Sequence, residues 1–153
     1  MVQAASMDDM TGLYSKNKLL ETVEHMEPKE RPVVVIYWDV NQLKYVNDTF
    51  GHLYGDQLIV KIAGSIRAAV TSEETNAYRY GGDEFLMIIP DGTQEIAEDV
   101  IEKWRQVMKP IQKNSEIPVS ASVGYAVGKY ENIMELIEIA DQRMYKDKQL
   151  RRQ

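Results

Sequence analysis

The chain has no cysteine and only two histidines, His25 and His52. Disulfides, thiolate metal sites and a cysteine nucleophile are excluded, and two imidazoles are too few for a histidine-rich metal centre. Positive charge is also short: 18 Lys and Arg stand against 24 Asp and Glu, a formal charge of −6. A protein that lives on a phosphate polymer ordinarily carries a basic surface to displace counterions, so no nucleic-acid polymer is expected as a partner. A small phosphorylated ligand needs only a few local cations and stays open. The longest apolar run, residues 33–38, is far short of the about 20 residues that span a bilayer. The first residues lack a basic stretch followed by an apolar one, so no signal peptide is read. No membrane contact is expected from this chain. Its expected location is the cytoplasm, including as the cytoplasmic part of a membrane-bound sensor.

What is present suits one folded domain. The chain has 153 residues, 44% of them hydrophobic and 27% charged, enough to bury a core and too apolar for disorder. Leu19, Leu20 and Val23 mark a helix over residues 16–26. Residues 32–38 run apolar without alternation, as a strand covered on both faces does, and the run stops at Asp39. A short helix is expected over residues 42–48, then breaks at Gly51 and Gly55, then a helix over residues 55–70 carrying Leu58, Ile59, Ile62 and Ile66. Residues 77–80 and 85–89 flank Gly81-Gly82-Asp83-Glu84 and read as a β-hairpin. Ile96, Val100, Trp104, Met108 and Ile111 mark a long amphipathic helix. Residues 119–127 alternate as a strand with unlike faces, and Asn132-x-x-Glu135 resembles a capping box opening the last helix. The order implies an α/β (α+β) sandwich on a mostly antiparallel central sheet flanked by helices.

Two groups of acids carry the chemistry. Asp39 ends the buried strand, where an ionised carboxylate costs several kcal/mol unless paired or bound to a cation. Asp83 and Glu84 follow two glycines in the hairpin turn, where a backbone can approach a ligand closely. If the hairpin lies beside the first strand, the two groups converge. Hard carboxylate oxygens without His or Cys suit Mg²⁺ or Mn²⁺. Lys44, Lys148 and Arg152 supply cations for phosphates, and the helix after Asp39 would offer backbone N–H groups. The same acids also suit plain turn and cap positions, so residue chemistry alone stops at a candidate Mg²⁺–nucleotide site.

Five blocks in order narrow the reading. Tyr80-Gly81-Gly82-Asp83-Glu84-Phe85 resembles the signature of the GGDEF family, the diguanylate cyclases. Asp8-Asp9-Met10-Thr11-Gly12-Leu13 resembles that family's D-x-L-T-G-L, and Asp39-Val40-Asn41-Gln42-Leu43-Lys44-Tyr45-Val46-Asn47-Asp48 its D-x-D-x-F-K-x-x-N-D. Phe50-Gly51-His52-Leu53-Tyr54-Gly55-Asp56 resembles F-G-H-x-x-G-D, and Ala140-Asp141-Gln142-Arg143-Met144-Tyr145-Lys146-Asp147-Lys148 resembles A-D-x-A-M-Y-x-A-K.

The resemblance implies a fold like the palm of nucleotidyl cyclases and polymerases. It also implies condensation of two GTP to cyclic di-GMP with release of two pyrophosphates. Asp39 and Asp83 would ligate Mg²⁺ (or Mn²⁺) with the carbonyl of Val40. Asp83 would accept the 3′-hydroxyl proton, Glu84 would support the metal, and Lys44 would stabilise charge on the transferring phosphate. Asn47 and Asp56 would bind the guanine edge with His52 close by, and Lys148 and Arg152 would hold the β- and γ-phosphates. Each domain would bind one GTP, so a second copy is the implied partner. The chain is expected to be one catalytic domain over residues 1–153, excised from a larger sensor protein. The alternative is a catalytically silent GTP-binding regulatory module. Asn41 stands where many members have a second Asp, and Arg151 where Gly often precedes the last Arg. Ser72 and Thr75 replace an R-x-x-D pair that binds product and inhibits, so the product-inhibition site is expected to be absent.

Overall fold

Six consecutive apolar residues cannot all be buried unless both faces of their strand are covered, and the structure covers them. This structure, a computed structural model, describes residues 6–151. Strand β1 (Pro32–Val40) lies inside a four-stranded sheet with β2 (Asn76–Arg79), β3 (Glu84–Pro90) and β4 (Ala121–Lys129), in the order β2-β3-β1-β4. All three pairings are antiparallel. Strands β1 and β2 therefore run parallel with β3 between them, and β3 and β4 run parallel with β1 between them. The first crossover carries α2 (Leu43–Phe50) and α3 (His52–Ala68), and the second carries α4 (Gln94–Lys113). This is the split β-α-β-β-α-β arrangement. Helices α1 (Lys16–Glu24) and α5 (Ile133–Arg151) complete it.

The two-residue period of β1 sorts its side chains between two cores. Val34, Ile36, Trp38 and Val40 face α3 and α4, where they meet Ile62, Ile66 and Trp104. Trp38 and Trp104 sit edge to face at 5.8 Å, and the Trp104 indole N–H donates to Ser65 Oγ at 2.9 Å. Val33, Val35 and Tyr37 face the other way, against Leu19 of α1 and Leu136, Ile137 and Met144 of α5. Each fully buried large apolar side chain contributes about 1.5–3 kcal/mol, so both helical layers are required.

Several elements differ from the sequence pattern. Helix α1 ends at Glu24, with His25 as its C-cap. Gly51, at φ +100°, does break the chain between α2 and α3, but Gly55 lies buried within α3. A Cβ on Gly55 would stand 1.7 Å from Asn47 Oδ1, so this glycine serves close packing of α3 on α2. Helix α5 follows a 3₁₀ turn (Tyr130–Asn132) that contains Asn132, so Asn132 is not an extended capping residue. Strand β4 has unlike faces only in its second half; Ala121, Ser122, Val123 and Gly124 are all buried, because α5 covers the outer face there.

Gly124 sets how closely α5 approaches. A Cβ on it would lie 2.2 Å from Met144 N and 2.5 Å from Ala140 O, both backbone atoms of the helix. Overpacking of a rigid contact destabilises by about 1–3 kcal/mol. Gly124→Ala is therefore expected to lower unfolding free energy by at least that amount, read as a lower urea midpoint with unchanged slope.

Candidate functional site

The ends of β1 and β3 bring distant acids together. Register places Asp39 directly opposite Glu84, and Val40 N–H donates to the carbonyl of Asp83 at 2.9 Å. The turn bearing the two glycines is thus fastened to the end of β1. Two like charges facing each other across a strand pair are destabilising unless a cation answers them.

Lys148, near the end of α5, is one such cation: its Nζ donates to Asp39 Oδ2 at 2.8 Å, with the two side chains only 20% and 16% exposed. Asp39 Oδ1 is buried and has no hydrogen-bond partner among the described residues. Burial pushes the Asp39 carboxyl above the usual range; Lys148 opposes this, and the charges of Asp83 and Glu84 reinforce it. An orphaned, buried carboxylate oxygen beside two further acids is the environment a hard divalent cation stabilises. No three His, Asp or Glu side chains among the described residues form a metal cluster by themselves. Two carboxylates and a carbonyl suit Mg²⁺, which usually completes its shell with water and substrate phosphate.

Lys148 also lines a cleft of about 450 Å³ with Asn41, Gln42, Ser120 and Arg151. Asn41 is buried and satisfied: its amide donates to Ser120 Oγ at 3.1 Å and its carbonyl oxygen accepts from Ser122 Oγ at 2.9 Å. Gln42 sits at φ +63° and gives α2 no side-chain cap, so among the described residues the first N–H groups of that helix have no bond to their N-cap side chain. Arg152 lies outside the described residues. A second cavity of about 460 Å³ lies at the opposite end of β3, lined by Lys18, Arg31, Glu74, Tyr78, Ile88 and Tyr130 among others. Size does not separate the two clefts; what does is that Lys148, which lines the first, is bonded to Asp39.

The remaining expected residues lie on α2 and α3. Asn47 packs over Gly55, next in sequence to Asp56, and Asp56 and His52 are exposed on the first turns of α3. The structure thus sets Asn47 against the residue that precedes Asp56. It does not bring Lys44 to the acids: Lys44 is 92% exposed and pairs with Asp48 at 3.4 Å.

Three contacts escaped the sequence pattern. The hydroxyl of Tyr37 donates to Glu84 Oε2; within an apolar run Tyr37 reads as core, and only its two-residue spacing from Asp39 hints at a shared face. Asp147 Oδ2 accepts from Val123 N–H at 2.9 Å, docking α5 where Lys148 begins. Arg79 donates to both oxygens of Asp8 at 3.2 Å and to the carbonyl of Gly82 at 2.7 Å, tying the first block to the glycine turn.

Burial raises the Asp8 carboxyl, but hydrogen bonds from the Thr11 hydroxyl and N–H, with the Arg79 charge, outweigh it and hold the group below its usual range. A depressed carboxyl stabilises the fold above its unfolded pKa, and that contribution is lost as pH falls through the folded value. Asp8→Asn is expected to destabilise by about 1–3 kcal/mol at pH 7. Thermal melts should show the gap to the natural sequence closing as pH falls below the ordinary carboxylate range.

Comparison with known proteins extends the pattern beyond this chain. Over 146 residues it is 33% identical to "Probable diguanylate cyclase DgcJ" of Escherichia coli, covering 93% of this chain and 29% of that protein. It is 32% identical over 145 residues to "Cyclic di-GMP phosphodiesterase PdeB" of Shewanella oneidensis, covering 90% of this chain and 16% of that one. The chain thus spans less than a third of these relatives. The GGDEF domain of DgcB from Caulobacter crescentus, solved in complex with cyclic di-GMP, superposes with a TM-score of 0.84 at 26% identity, covering 97% of this chain and 93% of that one. Residues 5–153 match the family described as "Diguanylate cyclase, GGDEF domain", and the chain belongs to that family.

Proposed function

We propose that this chain is a Mg²⁺-dependent diguanylate cyclase that condenses two GTP into cyclic di-GMP. The observation that carries this reading is the buried Asp39 Oδ1, without a hydrogen-bond partner among the described residues, on the residue paired with Glu84 and next to the Asp83 turn. Asp39, Asp83 and the Val40 carbonyl would hold the cation, with Glu84 in support. When bound, the cation supplies charge neutralisation on the triphosphate and eases ionisation of the attacking hydroxyl.

The chain's own residues do the rest. Asp83 accepts the 3′-hydroxyl proton of one GTP. That oxygen bonds to the α-phosphorus of the other GTP, the bond from that phosphorus to the β-phosphate oxygen breaks, and pyrophosphate leaves in line. A second such step closes the ring. Lys148 and Arg152 hold the β- and γ-phosphates, joined by the uncapped first turn of α2. Lys44 stabilises the transferring phosphate, which requires it to leave Asp48. Asp56 and Asn47 read guanine, whose N1–H and N2–H₂ donors adenine lacks, and His52 stands close to the substrate. The product has two equivalent halves, so two copies face each other across a two-fold axis, as output domains of a larger sensor protein.

One observation favours a silent GTP-binding regulatory module instead. A segment of a protein named as a phosphodiesterase is as similar to this chain as one from a protein named as a cyclase. Turnover separates the two readings. Fused to a dimeric coiled coil and supplied with GTP and Mg²⁺, the domain is expected to form cyclic di-GMP, and Asp83→Asn to lower kcat by about 100-fold or more. Progress curves should stay linear as product accumulates, because Ser72 and Thr75 offer it no cation. GTP binding without turnover would instead support the silent module.

Leaving a carboxylate unpaired against the wrong base costs about 1–3 kcal/mol. Asp56→Ser is accordingly expected to reduce the ratio of GTP to ATP kcat/KM by about 10-fold or more. Unchanged discrimination would remove Asp56 from base reading.

A further inference from the structure

Glu84 is held at three points. Its backbone carbonyl accepts from Tyr80 N–H at 2.8 Å and Gly81 N–H at 3.2 Å. Its Oε1 lies so close over Gly81 that a Cβ there would stand 2.3 Å away. Its Oε2 accepts from the Tyr37 hydroxyl, and Tyr37 is only 2% exposed. The phenol is itself fixed: its ring meets Tyr80 edge-on at 5.9 Å, and Lys16 Nζ lies 4.7 Å from the centroid of the Tyr80 ring.

The same division recurs in the acid opposite. Asp39 has Oδ2 tied to Lys148 and Oδ1 without a partner; Glu84 has Oε2 tied to Tyr37 and Oε1 without a donor among the described residues. One oxygen of each carboxylate fixes its orientation, and the other is left to act. A carboxylate that hydrogen-bonds through only one oxygen keeps a full acceptor on the second, and donors behind ligand groups orient them.

We propose that Tyr37 is a positioning residue for the proposed reaction, holding the Glu84 carboxylate so that Oε1 faces the cation and the triphosphate. A Glu84 side chain turned to solvent would leave a buried phenol hydroxyl without an acceptor, so the two groups hold each other. This inference rests on the cyclase reading above and names a residue outside the five blocks that identify the family.

The test removes only the hydroxyl. In the coiled-coil-paired protein, Tyr37→Phe is expected to lower kcat by about 10-fold with KM for GTP within about 2-fold, a split that general loosening of the core would not give. Independently of turnover, Mn²⁺ binding to the complex with 3′-deoxy-GTP, which cannot react, is read by electron paramagnetic resonance. It should weaken by about 10-fold. In a Glu84→Ala background the same substitution should change Mn²⁺ affinity by less than about 2-fold, because its effect passes through Glu84. If Tyr37→Phe does not fold, Tyr37→Leu repeats the measurement. Natural-sequence kcat and Mn²⁺ affinity in Tyr37→Phe, or an equal loss in the Glu84→Ala background, overturns the inference while the cyclase reading stands. A natural-sequence protein that neither turns over GTP nor binds Mn²⁺ overturns both.

Discussion

A carboxylate at the end of a strand covered on both faces must be answered by positive charge, and much of this molecule is arranged around that answer. Asp39 sits where β1 leaves the core, with Glu84 across the register and the Asp83 carbonyl bonded to the next residue. The covering helices raise the electrostatic cost of that acid, and the same helices supply its partner. Lys148 arrives from α5, more than a hundred residues along the chain. Low dielectric strengthens this pairing and equally penalises the oxygen left alone.

Delivery of Lys148 depends on backbone fit rather than on charge. Gly124 lets α5 lie against β4, and Gly128 lies beneath Leu136 one turn earlier on the helix. Asp147 then locks the register by accepting from Val123 N–H, and Arg151 braces Asp147 at 3.2 Å. Gly55 acts in the same way on the first crossover, admitting Asn47 against α3. Both clusters of polar residues thus rest on a glycine whose value is the absence of a side chain, not a positive φ.

The first block serves the site without lining it. Gly12 takes φ +72°, and Thr11 folds back on Asp8 through its N–H and hydroxyl at 2.9 and 2.7 Å. Arg79 joins that turn to Gly82. Residues preceding α1 are therefore joined to the hairpin that carries Asp83 both by the Arg79 guanidinium and by backbone bonds of Tyr14, whose N–H donates to the Ala77 carbonyl at 3.2 Å and whose carbonyl accepts from Arg79 N–H at 2.8 Å.

The order of elements and the central place of β1 were legible in the sequence, because hydrophobic period and run length report burial directly. The identity of the acids was legible too, since the five blocks name residue types at fixed separations. Gly55 as a packing residue, α5 starting from a 3₁₀ turn and the doubly buried start of β4 were not, because each depends on what another element places opposite. Tyr37 shows the limit most plainly. Its apolar neighbours make it read as core, and it is core; only antiparallel register with β3 puts a carboxylate within reach of its hydroxyl. Sequence alone determined which side chains could do chemistry and how each segment would bury itself, since both are local properties. Tertiary structure alone decided which oxygen of each acid is tied and which is free, since that depends on donors from distant strands and helices.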